Sequence, residues 1–392
     1  MKILQINTTS YFSTGAIVNN IQNGLKDEFD FYVATTDCEG EKSHRITGNK
    51  LIRNIGKVFS QIDGSDGFHY KGETKKMLKW IDKVNPDIIH LHNIHCYYAN
   101  LELILKYAYS KNIPIVFTMH DCWSFTGRCA HFDNVSCNKW KDGCGECHYK
   151  DSYPRTRLFD ASKKYWLKKK ELLVGHNIHF VTPSEWLKGF AKLSYLKNED
   201  IRVINNGIDV SIYDKEDKDF TLPEGIDPKK KMILSVAYPF TNEKGLKDIN
   251  ELSTLIDKDK YQIVCVGVTD EYKTEEGIVR IAPTTDKQFI ANMYKKAEVV
   301  VLFTHQDNYP TVLLEAVASG TPCVSYDVGG VKEIVVDGFT GYTVTEDDVV
   351  SAYNKILDIS KINRKKCKEI GQQRSIENFV KNYKDLYLEI LK

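Results

Sequence analysis

The chain has 392 residues, of which 42% are hydrophobic and 27% are charged, a balance that excludes a disordered or fibrous protein and allows two or three domains. The net charge of +1 argues against nucleic-acid binding through global charge. No apolar run approaches the ~18 residues needed to span a bilayer, and the N-terminus becomes polar too early for a signal peptide. We therefore expect a cytoplasmic protein, in which disulfides are rare.

The first part of the chain alternates predicted strands and helices. Lys2–Asn7 is predicted to be a buried strand, and Gly15 ends the polar loop that leads into a helix. Further elements are predicted over residues 31–34, 77–84, 87–92, 101–109 and 114–119. This alternation predicts a parallel sheet, and ligands of such sheets bind at the carboxyl ends of the strands. His92 and His120 fall at such ends, whereas residues 48–71, with several Gly and Asp, are predicted to be a mobile loop.

Residues 122–147 form a cysteine-rich insert with little predicted regular structure. Four of its cysteines are candidate thiolate ligands of a structural zinc ion: Cys129, Cys137, Cys144 and Cys147. Cys144 and Cys147 have the spacing of a metal knuckle, whereas Cys129 and Cys137 do not. Two other interpretations stay open, namely reduced and buried cysteines, or a disulfide.

Residues 161–174 predict a basic helix in which five lysines accompany Tyr165 and Trp166. That composition suits the surface of an anionic membrane, so peripheral contact at the inner face of the membrane is one hypothesis. The alternative is a solvated helix that packs through Trp166.

A second α/β segment begins after an Asn-Gly turn at Gly207. Strands and helices alternate again from Met232, and Ile376–Leu391 has apolar residues at helical spacing. We predict a first domain over residues 1–207, a second over 208–375 and a C-terminal helix over 376–392.

The most informative stretch begins with Asp307 and continues into a helix predicted over Thr311–Ser319 that carries Glu315. The N-terminus of such a helix, at Thr311 and Val312, is suited to a diphosphate. Asp307 and Glu315 could then accept hydrogen bonds from a sugar and from a ribose. The alternative is an ordinary α/β unit with a surface Asp and a helical Glu. The ordered set favours a nucleotide-sugar site, because the turn at Gly329 and Gly330 offers bare backbone amides.

This stretch resembles the retaining glycosyltransferases of family 4, which have the GT-B fold. Their motif is an acid, seven residues, Glu, an Ala-rich helix, a Gly-x-Pro turn, a strand and Gly-Gly. The matching residues are Asp307, Glu315, Gly320, Pro322, Gly329, Gly330 and Glu333. The first acid is usually Glu and is here Asp. The resemblance implies an α/β protein with two Rossmann-like domains facing an interdomain cleft and a C-terminal helix that crosses back to the first domain.

The resemblance also implies the donor and the residues that bind it. A UDP- or GDP-sugar would be used without a catalytic metal, and Lys244 would bind its diphosphate. Family members usually have an Arg six residues before this Lys, where this chain has Tyr238. In the first domain, His120 would contact the donor sugar and Gly15 would face the cleft. Asp121 would fix the tautomer of His120 or help to position the acceptor.

The segment around His120–Trp123, the spaced cysteines and Tyr153-Pro154 resembles a bacterial subgroup of family 4 associated with colanic-acid-type exopolysaccharide or O-antigen assembly. The resulting hypothesis is transfer of a sugar, with retention of anomeric configuration, to a hydroxyl of a lipid-linked glycan. Two alternatives remain: a nucleotide-sugar epimerase or hydrolase of the same fold, and a non-catalytic sugar-nucleotide-binding scaffold.

Overall fold

The computed structural model describes residues 1–46, 50–132, 136–151, 153–215, 217 and 219–392. The chain divides into two compact units, residues 1–205 with 380–392 and residues 206–379. The sequence placed the corresponding limits at 207/208 and 375/376. Three residues of the cysteine-rich insert, 133–135, lie outside the described residues.

The first unit is built on a parallel sheet with the strand order β3-β2-β1-β4-β5-β6-β7 within the described residues. Its strands are β1 (Lys2–Ile6), β2 (Asp30–Thr35), β3 (Ser43–Arg45), β4 (Ile88–Leu91), β5 (Ile115–Thr118), β6 (Ile178–Thr182) and β7 (Ile201–Val203). Its helices are α1 (Phe12–Leu25), α2 (Lys50–Asp63), α3 (Lys71–Val84), α4 (Leu101–Ser110), α5 (Ser162–Leu173) and α6 (Glu185–Lys192). β4 and β5 are buried along their whole length, as expected for strands covered on both faces.

The second unit repeats this arrangement, with the strand order β10-β9-β8-β11-β12-β13. Its strands are β8 (Lys231–Val236), β9 (Tyr261–Val266), β10 (Val279–Ile281), β11 (Val299–Leu302), β12 (Cys323–Tyr326) and β13 (Gly341–Val344). Its helices are α7 (Val210–Asp214), α8 (Leu246–Leu255), α9 (Lys287–Lys296), α10 (Thr311–Ala318), α11 (Val349–Leu357) and α12 (Arg364–Gln372), with 3-10 turns at Asn242–Lys244, Val331–Glu333 and Ile359–Lys361. In both units the order reverses beside the first strand, which is where doubly wound sheets bind ligands.

The C-terminal helix α13 (Ile376–Ile390) belongs, from residue 380 onward, to the first unit. Two of its buried tyrosines reach the sheet. The Tyr387 hydroxyl lies 2.6 Å from His90 Nδ1, and the Tyr383 hydroxyl lies 2.9 Å from Thr118 Oγ1. The end of the chain is thus part of the core of the first unit. No helix that the structure describes is both long enough and apolar enough to cross a membrane.

The loop predicted over residues 48–71 is wrong for most of that stretch, since α2 occupies Lys50–Asp63. Residues 48 and 49 lie outside the described residues. Several apolar side chains of α2 that the structure describes recur at helical spacing but are exposed to solvent. The exposed ones are Leu51, Ile55, Val58 and Phe59.

Helix α5 differs from the membrane-surface helix that its composition indicated. Tyr165 and Trp166 are buried, and the Trp166 indole N–H donates to the Trp140 carbonyl at 2.8 Å. Lys169 is completely buried, and Lys168 forms an ion pair with Glu102. The aromatic side chains that would anchor this helix in a membrane therefore pack into the core instead.

Candidate active site

In the second unit, the two loops that carry Lys244 and Asp307 meet. Lys244 Nζ donates to Asp307 Oδ2 at 2.9 Å, and both side chains are partly exposed. The two loops are also joined by their backbones, because the His305 N–H donates to the Glu243 carbonyl at 3.0 Å. Lys244 follows β8 and Asp307 follows β11, the two strands on either side of the reversal in strand order. The structure therefore brings these two predicted residues together at the expected edge of the sheet.

The Gly329-Gly330 turn packs against the loop that carries Asp307. Gly329 has a φ of +57°, and a Cβ there would lie 1.6 Å from the Asp307 carbonyl oxygen. The Gly330 N–H donates to the Asn308 carbonyl at 3.0 Å. Only glycine permits this approach and this backbone conformation together. The Gly-Gly turn thus fixes the Asp307 loop from one side.

Helix α10 begins at Thr311, as predicted, with Pro310 in the capping position. No side chain caps this end of the helix. The N–H groups of Thr311 and Val312 belong to the first turn, where helices lack internal acceptors. Thr311 is exposed and Val312 is partly buried. This end of α10 has the geometry of an anion site next to Asp307 in the chain.

Glu315 is held by two tyrosines that the sequence did not single out. The Tyr294 hydroxyl donates to Glu315 Oε2 at 3.0 Å, and Tyr213 also hydrogen-bonds this carboxyl. Burial raises the pKa of Glu315, and the two hydroxyl donors partly oppose that rise. Tyr294 lies on α9 and Tyr213 on α7, so only the folded arrangement reveals the cluster.

Tyr238, which stands where family members usually have an Arg, is 70% exposed. It lies two residues after the end of β8, the strand that leads to Lys244. Its aromatic ring cannot replace the charge of a guanidinium, but it presents a large exposed surface at this edge of the sheet.

His305 is another residue that the sequence did not identify. Its Nδ1 lies 2.7 Å from Glu346 Oε1 and its Nε2 lies 3.1 Å from Asp248 Oδ2. Burial lowers the pKa of His305, but the hydrogen bonds to Glu346 and Asp248 outweigh burial and raise it. Both ring nitrogens of His305 thus face carboxylates, and these contacts hold the loop two residues before Asp307.

In the first unit, His120 contacts His92 rather than the acid beside it in the sequence. His120 Nε2 lies 3.1 Å from His92 Nδ1, and the rings are stacked. His92 Nε2 in turn lies 3.2 Å from Gln5 Oε1, while the Gln5 amide donates to the Val18 carbonyl. Burial lowers the pKa of His120 to about 4 and also lowers that of His92, so both rings are neutral near pH 7.

The first role predicted for Asp121, fixing the tautomer of His120, is wrong. Asp121 Oδ2 lies 2.8 Å from His95 Nε2, and Asp121 Oδ1 accepts from the Trp123 N–H. Burial opposes ionisation of Asp121, but the charge of His95 outweighs burial and lowers the pKa to about 2. His95 pairs with Asp121 because β4 and β5 are neighbours, so the loops after them meet. The other predicted role, positioning an acceptor, stays a prediction.

Gly15 lies inside the first turns of α1 and not in the loop before it. A Cβ at this position would lie 2.7 Å from the Ser10 carbonyl carbon and 3.0 Å from the Thr9 oxygen. Gly15 therefore lets the loop after β1 fold closely over the start of α1. The surface of Gly15 is therefore covered by the backbone of Thr9 and Ser10.

None of the ten cysteines, all of which lie in the described residues, forms a disulfide in the structure. The four predicted zinc ligands line one cavity together: Cys129, Cys137, Cys144 and Cys147. The zinc itself stays a prediction.

Comparison with known proteins assigns the family. The sequence matches the description "Glycosyltransferase Family 4" over residues 16–212 and "Glycosyl transferases group 1" over residues 217–374. The two matches correspond closely to the two units of the structure.

Two relatives with curated names have low sequence identity to this chain. The chain is 27% identical over 279 residues to the colanic acid biosynthesis glycosyl transferase WcaC of Escherichia coli K12, covering 68% of this chain and 65% of WcaC. It is 23% identical over 211 residues to the N-acetyl-alpha-D-glucosaminyl L-malate synthase of Bacillus anthracis, covering 50% of this chain and 55% of that enzyme. The chain thus spans less than two thirds of the length of these two relatives.

Solved structures show the same fold at low sequence identity. The sucrose-phosphate synthase of Thermosynechococcus elongatus has a TM-score of 0.70 at 15% identity, covering 99% of this chain and 98% of that one. HepE of Anabaena, solved with UDP-glucose, has a TM-score of 0.67 at 13% identity, covering 99% and 100%. The chain therefore belongs to glycosyltransferase family 4 and has the two-domain GT-B fold.

Proposed function

We propose that the protein transfers a hexose-type sugar from a nucleotide diphosphate sugar to a hydroxyl of a growing glycan, with retention of anomeric configuration. The observation that carries the proposal is the Lys244–Asp307 pair beside the N-terminus of α10 and the Gly-Gly turn. A cation and the first amides of a helix can bind a phosphate, and an acid beside them can bind the sugar attached to it. All of these groups lie at the carboxyl ends of neighbouring strands.

The roles follow from the chemistry of each side chain. Lys244 and the first amides of α10, at Thr311 and Val312, would stabilise the charge that develops on the departing diphosphate. Asp307 would accept hydrogen bonds from the donor sugar, and Glu315, oriented by its tyrosines, would bind the ribose. The backbone of Gly329 and Gly330 would approach the same ligand.

In the first unit, we assign His120 to the donor sugar. Its pKa of about 4 keeps the ring neutral, so it can accept or donate a hydrogen bond without adding charge. Retention would proceed by front-face attack, in which the departing phosphate accepts the proton of the acceptor hydroxyl. UDP is the base we would test first, because HepE was solved with UDP-glucose; GDP is the second.

Polysaccharide assembly is the setting we propose, because WcaC is named for colanic acid biosynthesis. A lipid-linked acceptor would bring the protein to a membrane. We propose α2, rather than the predicted helix at 161–174, for that contact. Exposed apolar side chains on α2 accompany the exposed basic residues Arg53 and Lys57, a combination that binds anionic lipid surfaces.

Co-sedimentation with vesicles tests this contact. We expect binding to phosphatidylglycerol vesicles that is weaker on phosphatidylcholine and is lost in Val58→Asp and Phe59→Asp. Leu167→Asp, on an exposed position of α5, is the matched control and should bind normally. Loss of binding in the control alone would move the contact back to α5, and no binding to either vesicle would remove it.

The transfer reaction is tested in two stages. A thermal-shift screen of UDP- and GDP-sugars identifies the donor, and product analysis with a glycan acceptor follows. Nucleotide release that depends on acceptor supports transfer, release without acceptor supports a hydrolase, and formation of an isomeric nucleotide sugar supports an epimerase. Binding without turnover under any acceptor supports a scaffold.

Site variants then test the residues. Lys244→Ala and Glu315→Ala should lose most activity while circular dichroism and melting stay near those of the wild type. Lys247→Ala removes an exposed lysine three residues away on α8 and should leave activity unchanged. Wild-type turnover in the first two variants would remove the site assignment.

A further inference from the structure

The cysteine-rich insert is ordered without regular secondary structure. Between β5 and α5, the described residues contain no α-helix or strand. Nevertheless Phe125, Phe132 and Trp140 are buried there, and their rings pack edge to face or at a tilt. A segment of this kind gains order from its aromatic packing, but long irregular loops in compact domains usually carry a further constraint.

Four thiols line one cavity in this segment. The cavity measures about 260 Å³, and its lining includes Cys129, Cys137, Cys144 and Cys147. The thiols of Cys129 and Cys147 hydrogen-bond each other. The Gly127 N–H donates to Cys144 Sγ at 3.1 Å, as backbone amides do to ligand sulfurs.

The turn from Cys144 to Cys147 is fixed from outside. Lys139 Nζ donates to the carbonyl oxygens of Gly145 and Glu146, at 3.1 and 2.9 Å. The Cys147 N–H donates to Asp160 Oδ2 at 2.7 Å. Glu146 has a φ of +46°, an uncommon conformation for a residue other than glycine. This scaffold directs both thiols of the pair toward the same cavity.

An independent observation is a buried lysine side chain beside the thiols. Lys169 is completely buried, donates to the Trp123 carbonyl and lies with Nζ 4.0 Å from the centre of the Trp123 ring. Among the described residues, no carboxylate oxygen lies within 4.0 Å of this ammonium. Arg128, next to Cys129 in the chain, is also buried and donates to the Pro154 and Tyr149 carbonyls. Buried cations are costly unless an anionic centre compensates them.

We infer that the insert holds a structural zinc ion bound by Cys129, Cys137, Cys144 and Cys147. Four thiolates on Zn²⁺ carry a net charge of 2−, which Lys169 and Arg128 would neutralise. The thiols must deprotonate, and their four protons leave to solvent as the ion binds. No redox step is involved.

Binding must draw the sulfur atoms inward. Within the described part of the chain, Asp248, His305 and Asp347 have ligand atoms that all lie within 4.8 Å of one another. No three of the four cysteine sulfurs, which also belong to that part, lie that close together. The cysteines are more widely spaced around their cavity, whereas Zn–S bonds measure about 2.3 Å. Cys129 and Cys137 would have to approach the ion, since the turn at Cys144 and Cys147 is already fixed.

Metal analysis of the full chain, purified under reducing conditions without chelators, tests the inference. We expect about one zinc per chain, a loss of about tenfold or more in Cys144→Ser and Cys147→Ser, and full content in Cys122→Ala. Cys122 is a matched control because it is buried in the same segment and is not among the described residues that line the cavity. Zinc content independent of all four cysteines would overturn the inference.

A second measurement covers variants that fail to fold. Wild-type protein prepared in Co²⁺ should show the visible bands of tetrahedral Co²⁺ and thiolate-to-cobalt charge transfer, and a mercurial should release the ion. No zinc and no cobalt spectrum in folded wild-type protein would sink the site. A mass lower by two hydrogens under non-reducing conditions, with no metal, would show a disulfide instead. None of these readouts depends on sugar transfer.

Discussion

Lys244 Nζ and Asp307 Oδ2 are 2.9 Å apart, so the two side chains proposed to hold opposite ends of the donor are paired with each other in the structure. A phosphate would take the place of the carboxylate on Lys244, and sugar hydroxyls would take the place of the ammonium on Asp307. The pair therefore keeps both groups oriented toward one ligand position and must separate when a donor binds.

The first prediction concerns this pair. Lys244→Ala and Asp307→Asn should each lower kcat/KM by about 10²–10³, the usual effect of removing one group that stabilises a transition state. Both side chains are partly exposed, so the free energy of unfolding should change by less than about 1 kcal/mol. Activity assays and chemical unfolding on the same preparations separate the two effects.

Asp307→Glu is the control for this prediction, because it keeps the charge and restores the acid that family 4 usually has. It should retain far more activity than Asp307→Asn. Equal loss in both variants would show that the length of the side chain matters more than its charge.

The second prediction concerns Glu315. Burial raises the pKa of this carboxyl, and ribose hydroxyls are bound best by the ionised form. Nucleotide affinity should therefore fall as pH falls through the raised pKa. Tyr294→Phe removes a hydroxyl that stabilises the ionised form, so the fall should begin at a higher pH. Calorimetric titration across pH measures both, and Glu315→Gln should show weak binding without this pH dependence.

A pH-independent affinity in the wild type would contradict the role of Glu315. Tyr353→Phe is a suitable control, because Tyr353 lies on α11 in the same unit and is not a partner of Glu315 in the structure. Its affinity profile should match that of the wild type.

The third prediction concerns His305. The pKa of His305 in the folded state is raised above 6.5, because the hydrogen bonds to Glu346 and Asp248 outweigh burial. Asp347 Oδ1 lies 4.0 Å from His305 Nδ1, and the Tyr326 hydroxyl donates to Asp248. The folded state therefore binds this proton more tightly than the unfolded state. The stabilisation is complete below pH 6.5 and is lost as pH rises through the folded pKa. Wild-type stability should decline over that interval, and His305→Gln should remove this part of the decline.

The alternation of strands and helices was readable from sequence because buried strands such as β4 and β5 are short, continuous apolar runs. The strand ends at Lys244 and Asp307 followed from that alternation and from the family motif. Helix α2 was missed because the Gly and Asp residues in and near it gave a stronger loop signal than the spacing of its apolar residues. Apolar residues at helical spacing normally predict a buried face, and the sequence gives no sign that those of α2 are exposed.

Side-chain partners in the site were the part that sequence could not supply. Asp121 follows His120 directly, yet it binds His95, because adjacent residues after a strand point to different neighbours. Tyr294 reaches Glu315 from another helix, 21 residues away. Such pairs depend on which loops meet across neighbouring strands, and a single sequence carries no record of that.

The fourth prediction concerns the C-terminal helix. Tyr387→Phe removes the hydroxyl that lies 2.6 Å from His90 Nδ1, and both residues are fully buried. An unsatisfied buried nitrogen costs about 1–3 kcal/mol, so the first unit should unfold at a lower urea concentration. Circular dichroism in urea measures the shift. Unchanged unfolding would mean that another group satisfies His90.

The last prediction concerns the tautomer of His120. The Gln5 amide N–H₂ is committed to the Val18 carbonyl, so its oxygen accepts from His92 Nε2–H. His92 Nδ1 is then an acceptor, which assigns the proton of neutral His120 to Nε2. His120 thus keeps Nδ1 as its acceptor nitrogen. His92 would act through His120 as a positioning residue.

His92→Ala should therefore lower kcat more than it raises KM, because orientation of His120 matters most in the transition state. Burial now lowers the pKa of His120 to about 4, and water that enters the space left by His92 would weaken this effect. The acid limb of the pH profile should therefore move to higher pH. His120→Ala should abolish that limb, and His90→Asn should leave its position unchanged. A His92→Ala enzyme with lower activity but an unshifted acid limb would reduce His92 to a packing residue.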